Sequence, residues 1–214
     1  MRETPATPSG SARSSLVTWI GLAVIAAVLA GYLALDGRLR GIPEVGRSHP
    51  AVGRALGYLQ LQPLTGGSSS IELRDLSGKV VLLNYWGPWC FYCRLEFPHL
   101  LHLRETYEAR GDFQLVSISC GPQPPDDLES LHRDTARFLA HEQTDLPTYA
   151  DPGAVNRRRL MADAGLGSFG FPTTVLLDQR GVIRGLWIGF ADGYEREMEQ
   201  AIRQLLEPPA ARAG

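Results

Sequence analysis

The chain has 214 residues, with 21 basic and 23 acidic side chains, 44% apolar residues and three cysteines. Once one N-terminal apolar segment is set aside, what remains can bury the core of a single domain. The mixed, near-neutral charge offers no basic face for nucleic acid, so no nucleic-acid partner is expected. Three cysteines are too few for a disulfide scaffold.

Residues 1–15 are rich in Ser, Pro, Thr and Ala and read as a disordered tail. Residues 16–35, LVTWIGLAVIAAVLAGYLAL, carry no charge over twenty positions and are followed by Asp36 and Arg38. That length suffices for a helix to cross a bilayer. A cleaved signal peptide is the rival reading, because Ala30 and Ala34 are small. The stretch exceeds the usual ~7–15 residues of a signal core and no clean small-x-small site precedes Asp36, which favours an uncleaved anchor. Arg38, Arg40, Arg47 and Arg54 outnumber Arg2 and Arg13. Counted alone they would hold the following domain in the cytoplasm, but long domains translocate largely regardless of charge.

Residues 36–56, with Pro43 and Pro50, read as a linker. Leu59–Leu64 and Ser70–Arg74 flank Thr65-Gly66-Gly67 and predict a hairpin. Asp75-Leu76-Ser77-Gly78 predicts a turn. Val80–Trp86 is almost continuously apolar, as a strand buried on both faces would be. A helix follows over Cys90–Arg110, with Pro98 removing one of its backbone bonds. Phe113–Ser119 predicts a strand, Cys120–Asp127 a proline-rich loop and Leu128–Glu142 a helix. Pro147–Ala150 predicts a short strand, and Ala154–Ala164 a helix ended by Gly165. Thr174–Asp178 and Val182–Gly189 form a second hairpin around Gln179-Arg180-Gly181. Tyr194–Leu206 closes the chain as an amphipathic helix with Met198, Ile202, Leu205 and Leu206 on one side. Strands alternating with helices imply an α/β fold with a central sheet covered by helices. Residues 209–214 are left as a short C-terminal tail.

The chemistry points to Trp89-Cys90-Phe91-Tyr92-Cys93. Two cysteines separated by two residues at a helix start form a reversible dithiol/disulfide pair. Helix-terminal N–H groups and the helix dipole favour the thiolate, which makes Cys90 the nucleophile. Cys90 would attack a disulfide and Cys93 would resolve the mixed disulfide. Half of a zinc site is the alternative. A structural zinc wants four ligands, whereas Cys120 stands alone and His99 and His102 lie further along the same helix, so no metal is expected. Glu96 lies three residues past Cys93, so both share a helix face. Trp86, Trp89, Phe91 and Tyr92 surround the cysteines and suit an apolar docking surface, though Trp86 equally suits the core. Cys120 ends a predicted strand, where it is either a third redox thiol or, as lone cysteines more often are, a small buried residue. Arg157-Arg158-Arg159 reads as a solvated helix face.

The segment Asn84-Tyr85-Trp86-Gly87-Pro88-Trp89-Cys90-Phe91-Tyr92-Cys93-Arg94-Leu95-Glu96-Phe97-Pro98 resembles the active site of the thioredoxin superfamily, and within it the membrane-anchored TlpA/ResA-type thiol–disulfide oxidoreductases. Gly170-Phe171-Pro172-Thr173-Thr174-Val175-Leu176-Leu177-Asp178, followed by Gly181, resembles that family's cis-proline segment and closing hairpin. The resemblance spans roughly residues 55 to 207 as a pattern of elements. It implies a thioredoxin-like fold over residues 57–208: a central mixed β-sheet flanked by helices, with an N-terminal hairpin extension behind one transmembrane helix.

The resemblance also places a buried acid at Glu96, which would take and return the proton of Cys93 if burial raised its pKa; otherwise it is an ordinary glutamate near a helix start. Standard thioredoxins carry a buried aspartate on the preceding strand, where this chain has Asn84, which cannot titrate. Phe171-Pro172 would be a cis bond beside the cysteines, with the Phe171 backbone free to pair with a substrate segment. An ordinary trans proline at a strand start is the alternative.

The activity implied is disulfide exchange with protein substrates, without a bound cofactor. The expected setting is the bacterial cytoplasmic membrane, with the redox domain on the periplasmic side. The resemblance favours a reductant that serves a cytochrome apoprotein or a metal-site protein and is fed by an upstream membrane electron donor. A disulfide oxidase or isomerase, and a non-catalytic binding or copper-delivery module, are the rival functions.

Overall fold

The computed structural model describes residues 19–31, 45–67 and 69–207. The expected tails at 1–15 and 209–214, the ends of the predicted anchor and the first part of the linker lie outside the described residues. The chain divides into two units at Pro43/Glu44. In the first, residues 19–31 form a helix, α1, whose side chains are exposed all round. Among the described residues no helix is long and apolar enough to cross a membrane; α1 covers the middle of the 16–35 stretch.

The second unit is built on a seven-stranded mixed sheet. Its strands are β1 (Gln60–Thr65), β2 (Ile71–Glu72), β3 (Val80–Trp86), β4 (Phe113–Ser119), β5 (Thr148–Ala150), β6 (Thr173–Leu177) and β7 (Ile183–Ile188), in the order β2-β1-β5-β4-β3-β6-β7. Four helices cover it: α2 (Phe91–Tyr107), α3 (Leu128–His141), α4 (Val155–Ala164) and α5 (Tyr194–Leu206). Strand β3 is central and buried along all seven residues. It runs parallel to β4, in register from Val80↔Phe113 to Trp86↔Ser119, and antiparallel to β6.

Alternate residues of β3 feed the two faces, as the two-residue period of a strand requires. Val80 and Leu82 pack with Leu100 and Leu103 of α2 and with Met198, Ala201, Ile202 and Leu206 of α5. Val81, Leu83 and Tyr85 pack with Leu160 and Ala164 of α4. The apolar stripe expected on the last helix is therefore the one buried. Gly165 ends α4 in the left-handed region at φ 71°, which glycine enters without a steric penalty.

The structure differs from the sequence reading in three places. The N-terminal hairpin is present, but its second arm is only Ile71–Glu72, and Leu73–Leu76 wind into a 3-10 turn. Its first arm joins the main sheet by pairing Gln62 with Ala150, so the hairpin forms an edge of the sheet rather than an appendage. Residues 45–56, read as linker, are packed. Gly46 bridges Leu186, Ala55 bridges Val182, and Ala51 and Leu56 enter the core.

The third difference is Arg157, expected on a solvated face. It is 3% exposed. Its guanidinium meets the carboxylates of Asp126 at 2.7 Å and Asp151 at 3.2 Å. Asp151 also accepts the backbone N–H groups of Asn156 and Arg157, so it holds the start of α4 and its arginine together. Arg158 and Arg159 are exposed, as expected.

Candidate active site

The parallel strands β3 and β4 end side by side, and α2 begins just beyond them. The extended Cys90 (ψ 116°) is the N-cap of α2, and the N–H of Cys93 donates to its Sγ at 3.2 Å. A sulfur in that position does what a Ser or Asp cap does, and the contact is stronger when the sulfur is a thiolate. Cys90 and Cys93 are joined as a disulfide. Cys90 is 6% exposed and Cys93 1%, so an incoming group reaches Cys90 first.

The approach loop is fixed by two contacts. Arg94 donates from Nε and Nη2 to the Pro88 carbonyl, at 2.9 and 2.7 Å. Trp89 donates from Nε1 to the Cys120 carbonyl at 2.8 Å. Gly87 is required there, because a Cβ would collide with Trp89 Nε1 and stand 2.6 Å from the Cys120 oxygen.

Glu96 lies on the buried side of α2 at 2% exposure. Its Oε2 accepts from Asn84 Nδ2 at 2.7 Å and its Oε1 from Thr174 Oγ1 at 3.1 Å. Asn84 Nδ2 also donates to Thr174 Oγ1 at 2.9 Å. Burial pushes the carboxyl from 4.5 up to about 7, against the opposing pull of these two hydrogen bonds. His99, Tyr194 and Glu195 line a small void on another side of Glu96. A buried acid that changes charge near neutrality, one helical turn from Cys93, is suited to exchange that residue's proton.

The Phe171–Pro172 peptide is cis, and Phe171 packs edge-on against Trp89 with ring centroids 5.3 Å apart. Trp89, Phe91 and Tyr92 are exposed around Cys90, Phe91 to 68%. Trp86 belongs to the core: it packs on Phe97 and Phe138 and donates to Ser117 Oγ at 2.7 Å.

Cys120 is fully buried, and burial pushes its thiol well above the ordinary value. That leaves almost no thiolate for exchange, so the structure favours the packing role for this residue over the redox one. Sequence reasoning missed Thr174 as a partner of Glu96, Arg94 as the clamp on Pro88, and the Asp126–Arg157–Asp151 cluster. Thr174 had a signal, since it sits two residues past Pro172 in the block already singled out. The other two rest on contacts that the sequence does not display.

Comparison with known proteins agrees with this geometry. Residues 52–186 match the AhpC/TSA family. The thioredoxin-like protein YneN of Bacillus subtilis is 30% identical over 142 residues, covering 66% of this chain and 73% of that protein. The thiol-disulfide oxidoreductase ResA of Halalkalibacterium halodurans is 29% identical over 150 residues, covering 70% and 74%. A solved structure assigned as the thiol:disulfide interchange protein DsbE of Chlorobium tepidum superposes with a TM-score of 0.59 at 26% identity, covering 73% of this chain and 98% of that one. The chain belongs to the AhpC/TSA family of thioredoxin-like proteins, and it is a thiol–disulfide oxidoreductase of ResA/DsbE type built around Cys90 and Cys93.

Proposed function

We propose that the protein is a membrane-tethered reductant of protein disulfides outside the cytoplasm. The observation that carries the chemistry is the pairing of a capped Cys90, the more exposed of the two sulfurs, with a buried acid one turn beyond Cys93. In the reduced form the Cys90 thiolate attacks one sulfur of a substrate disulfide. A bond forms between Cys90 and that sulfur, and the other substrate sulfur leaves as a thiolate. Cys93 gives its proton to Glu96 and attacks Cys90 Sγ. The mixed disulfide breaks, the substrate's second thiolate leaves, and the Cys90–Cys93 bond is the product. Both electrons come from the cysteine pair, and Glu96 returns its proton when the pair is reduced again.

Trp89, Phe91 and Tyr92 form the apolar contact for the partner, and the backbone of Phe171 beside Pro172 pairs with its extended segment. The tether is the twenty-residue apolar stretch 16–35, which as a helix would span about 30 Å. An upstream membrane donor re-reduces the pair on the periplasmic side of the bacterial cytoplasmic membrane. The resemblance to TlpA/ResA-type proteins points to a cytochrome apoprotein or a metal-site protein as the substrate.

The test is Cys93→Ser in the full chain. Exchange predicts a covalent adduct on Cys90 that a reductant releases, whereas a binding module would give only non-covalent complexes. A reduction potential for Cys90–Cys93 well above that of the compartment's reductants would turn the reading to an oxidase. A C-terminal reporter active only in the cytoplasm would overturn the topology.

A further inference from the structure

Beyond Trp89, on the side of the site facing α3, lies a groove of about 880 Å³. Pro88, Trp89 and Arg94 form its wall next to the cysteines, and Pro125, Leu131 and Phe138 line it further out. Pro88 and Trp89, which line it, lead directly into Cys90, and its volume falls within the range of small-molecule pockets.

The groove is lined by three carboxylates, Asp127, Asp134 and Glu142, by the guanidinium groups of Arg94 and Arg137, and by His141. Asp127 is occupied in capping α3, where it accepts from the N–H groups of Glu129 and Ser130 and from the Ser130 hydroxyl. Asp134 faces Arg137 at 3.4 Å. Arg94 is different. Its Nε and Nη2 are spent on the Pro88 carbonyl, its guanidinium lies 5.9 Å over the Phe138 ring, and among the described residues it has no carboxylate partner. A guanidinium lying over a ring and bonded twice to a carbonyl is already ordered, so it loses little freedom when it takes a carboxylate on its remaining N–H groups.

We propose that this groove receives the partner's chain on one side of its reacting cysteine, and that a side-chain carboxylate of that segment pairs with Arg94. This deepens the exchange reading and rests on it. The partner class is then a polypeptide with an aspartate or glutamate close to the cysteine that Cys90 attacks. Trp89 divides the docking surface: the Phe171–Pro172 ledge lies to one side and the Arg94 groove to the other.

The probes are ten-residue peptides with one internal disulfide and a glutamate, glutamine or lysine placed near the first cysteine, together with the uncharged disulfide of 2-mercaptoethanol. The second-order rate of oxidation of the reduced full-length protein is measured with each. The expected result is a preference for glutamate over lysine of about threefold, the size of one rim charge pair, fading in high salt. Arg94→Gln should bring the ratio to about one and Arg94→Glu should invert it. Arg180→Glu, an equal charge change in the exposed turn between β6 and β7, should leave it unchanged. Each ratio is taken within one variant, so a general change in Cys90 reactivity cancels.

A ratio that stays the same in wild type, Arg94→Gln and Arg94→Glu, or that Arg180→Glu shifts as much as Arg94→Glu, overturns the proposal. In either case exchange with the small disulfide shows that the underlying activity stands. Wild-type protein inert to the small disulfide and to every peptide overturns the exchange reading itself.

Discussion

Glu96→Gln should make the oxidised protein more stable at pH 8 while making it a poorer catalyst. The folded carboxyl titrates at about 7 against 4.5 for the ordinary group, because burial disfavours its charged form more than Asn84 and Thr174 favour it. A folded pKa raised above the unfolded one means that the folded state holds the proton more tightly. Its stabilising contribution is complete below pH 4.5 and is lost as pH rises through about 7. The loss is about 3 kcal/mol, taken from the separation of the two values. Glutamine carries no charge at any of these pH values. Its carboxamide still accepts from Asn84 and can donate to Thr174, so the shape and most of the hydrogen bonding persist. Denaturant unfolding of the oxidised proteins at pH 4.5, 6 and 8 should show the variant drawing ahead of wild type as pH rises. At pH 7 it should resolve mixed disulfides about a hundredfold more slowly, the lower end of what a positioned acid–base group supplies. Parallel stability curves across this range would refute the assignment of Glu96 as a buried group that titrates near neutrality.

Thr174→Val removes a hydroxyl that donates to the buried carboxylate at 3.1 Å. A bond of that kind is worth about 1.5–3 kcal/mol, so the midpoint of the pH–rate profile for the resolving step should rise by about one unit or more. Cys120→Ala should leave the exchange rate intact, and in native reduced protein Cys120 should take up alkylating reagent only after unfolding, far behind Cys90, because the thiol is buried and its ionisation suppressed. Arg157→Met strands the Asp126 and Asp151 carboxylates inside the protein. The expected cost is about 3–5 kcal/mol, read as a lower denaturation midpoint, since removing one partner leaves buried charge uncompensated.

The parts of the fold legible in sequence are those set by local pattern. The seven apolar residues of β3 announce a strand covered on both faces, and Gly165 and Gly181 mark ends that the structure keeps at positive φ. Residues 45–56 were misread because their Gly and Pro content signals an absence of regular structure, which is true, and says nothing about packing. Ala51 and Leu56 are buried without belonging to any strand or helix. Arg157 was misread because three consecutive arginines look solvated. Each helical residue turns about 100° from the last, so one of the three faces inward, where Asp126 waits 31 positions earlier in the chain. In the site, the spacing to Cys93 puts Glu96 on the same helix face, and only the family resemblance implies that it is buried; the residue pattern itself does not give that depth, because it depends on β3, β6 and α5 closing over it.

Asn84 shows why a departure from a family pattern can be required by the rest of the site. Its Nδ2 lies 2.7 Å from Glu96 Oε2, so an acid at this position would place a second carboxylate at hydrogen-bond distance from the first. Two such groups in a buried site cannot both ionise; they share a proton and titrate as a pair, with one step pushed far up. An amide donates without competing for charge and leaves Glu96 as a single acid with a midpoint near neutrality. Asn84→Asp should therefore raise the upper midpoint of the resolving step by at least about one unit, from like-charge repulsion alone. Adding Glu96→Gln to that variant should bring the midpoint back down, because one carboxyl again titrates alone. If Asn84→Asp left the pH–rate profile where it is in the wild type, the two side chains would not share the electrostatic environment that the 2.7 Å contact implies, and the proton of Cys93 would have to travel by another route.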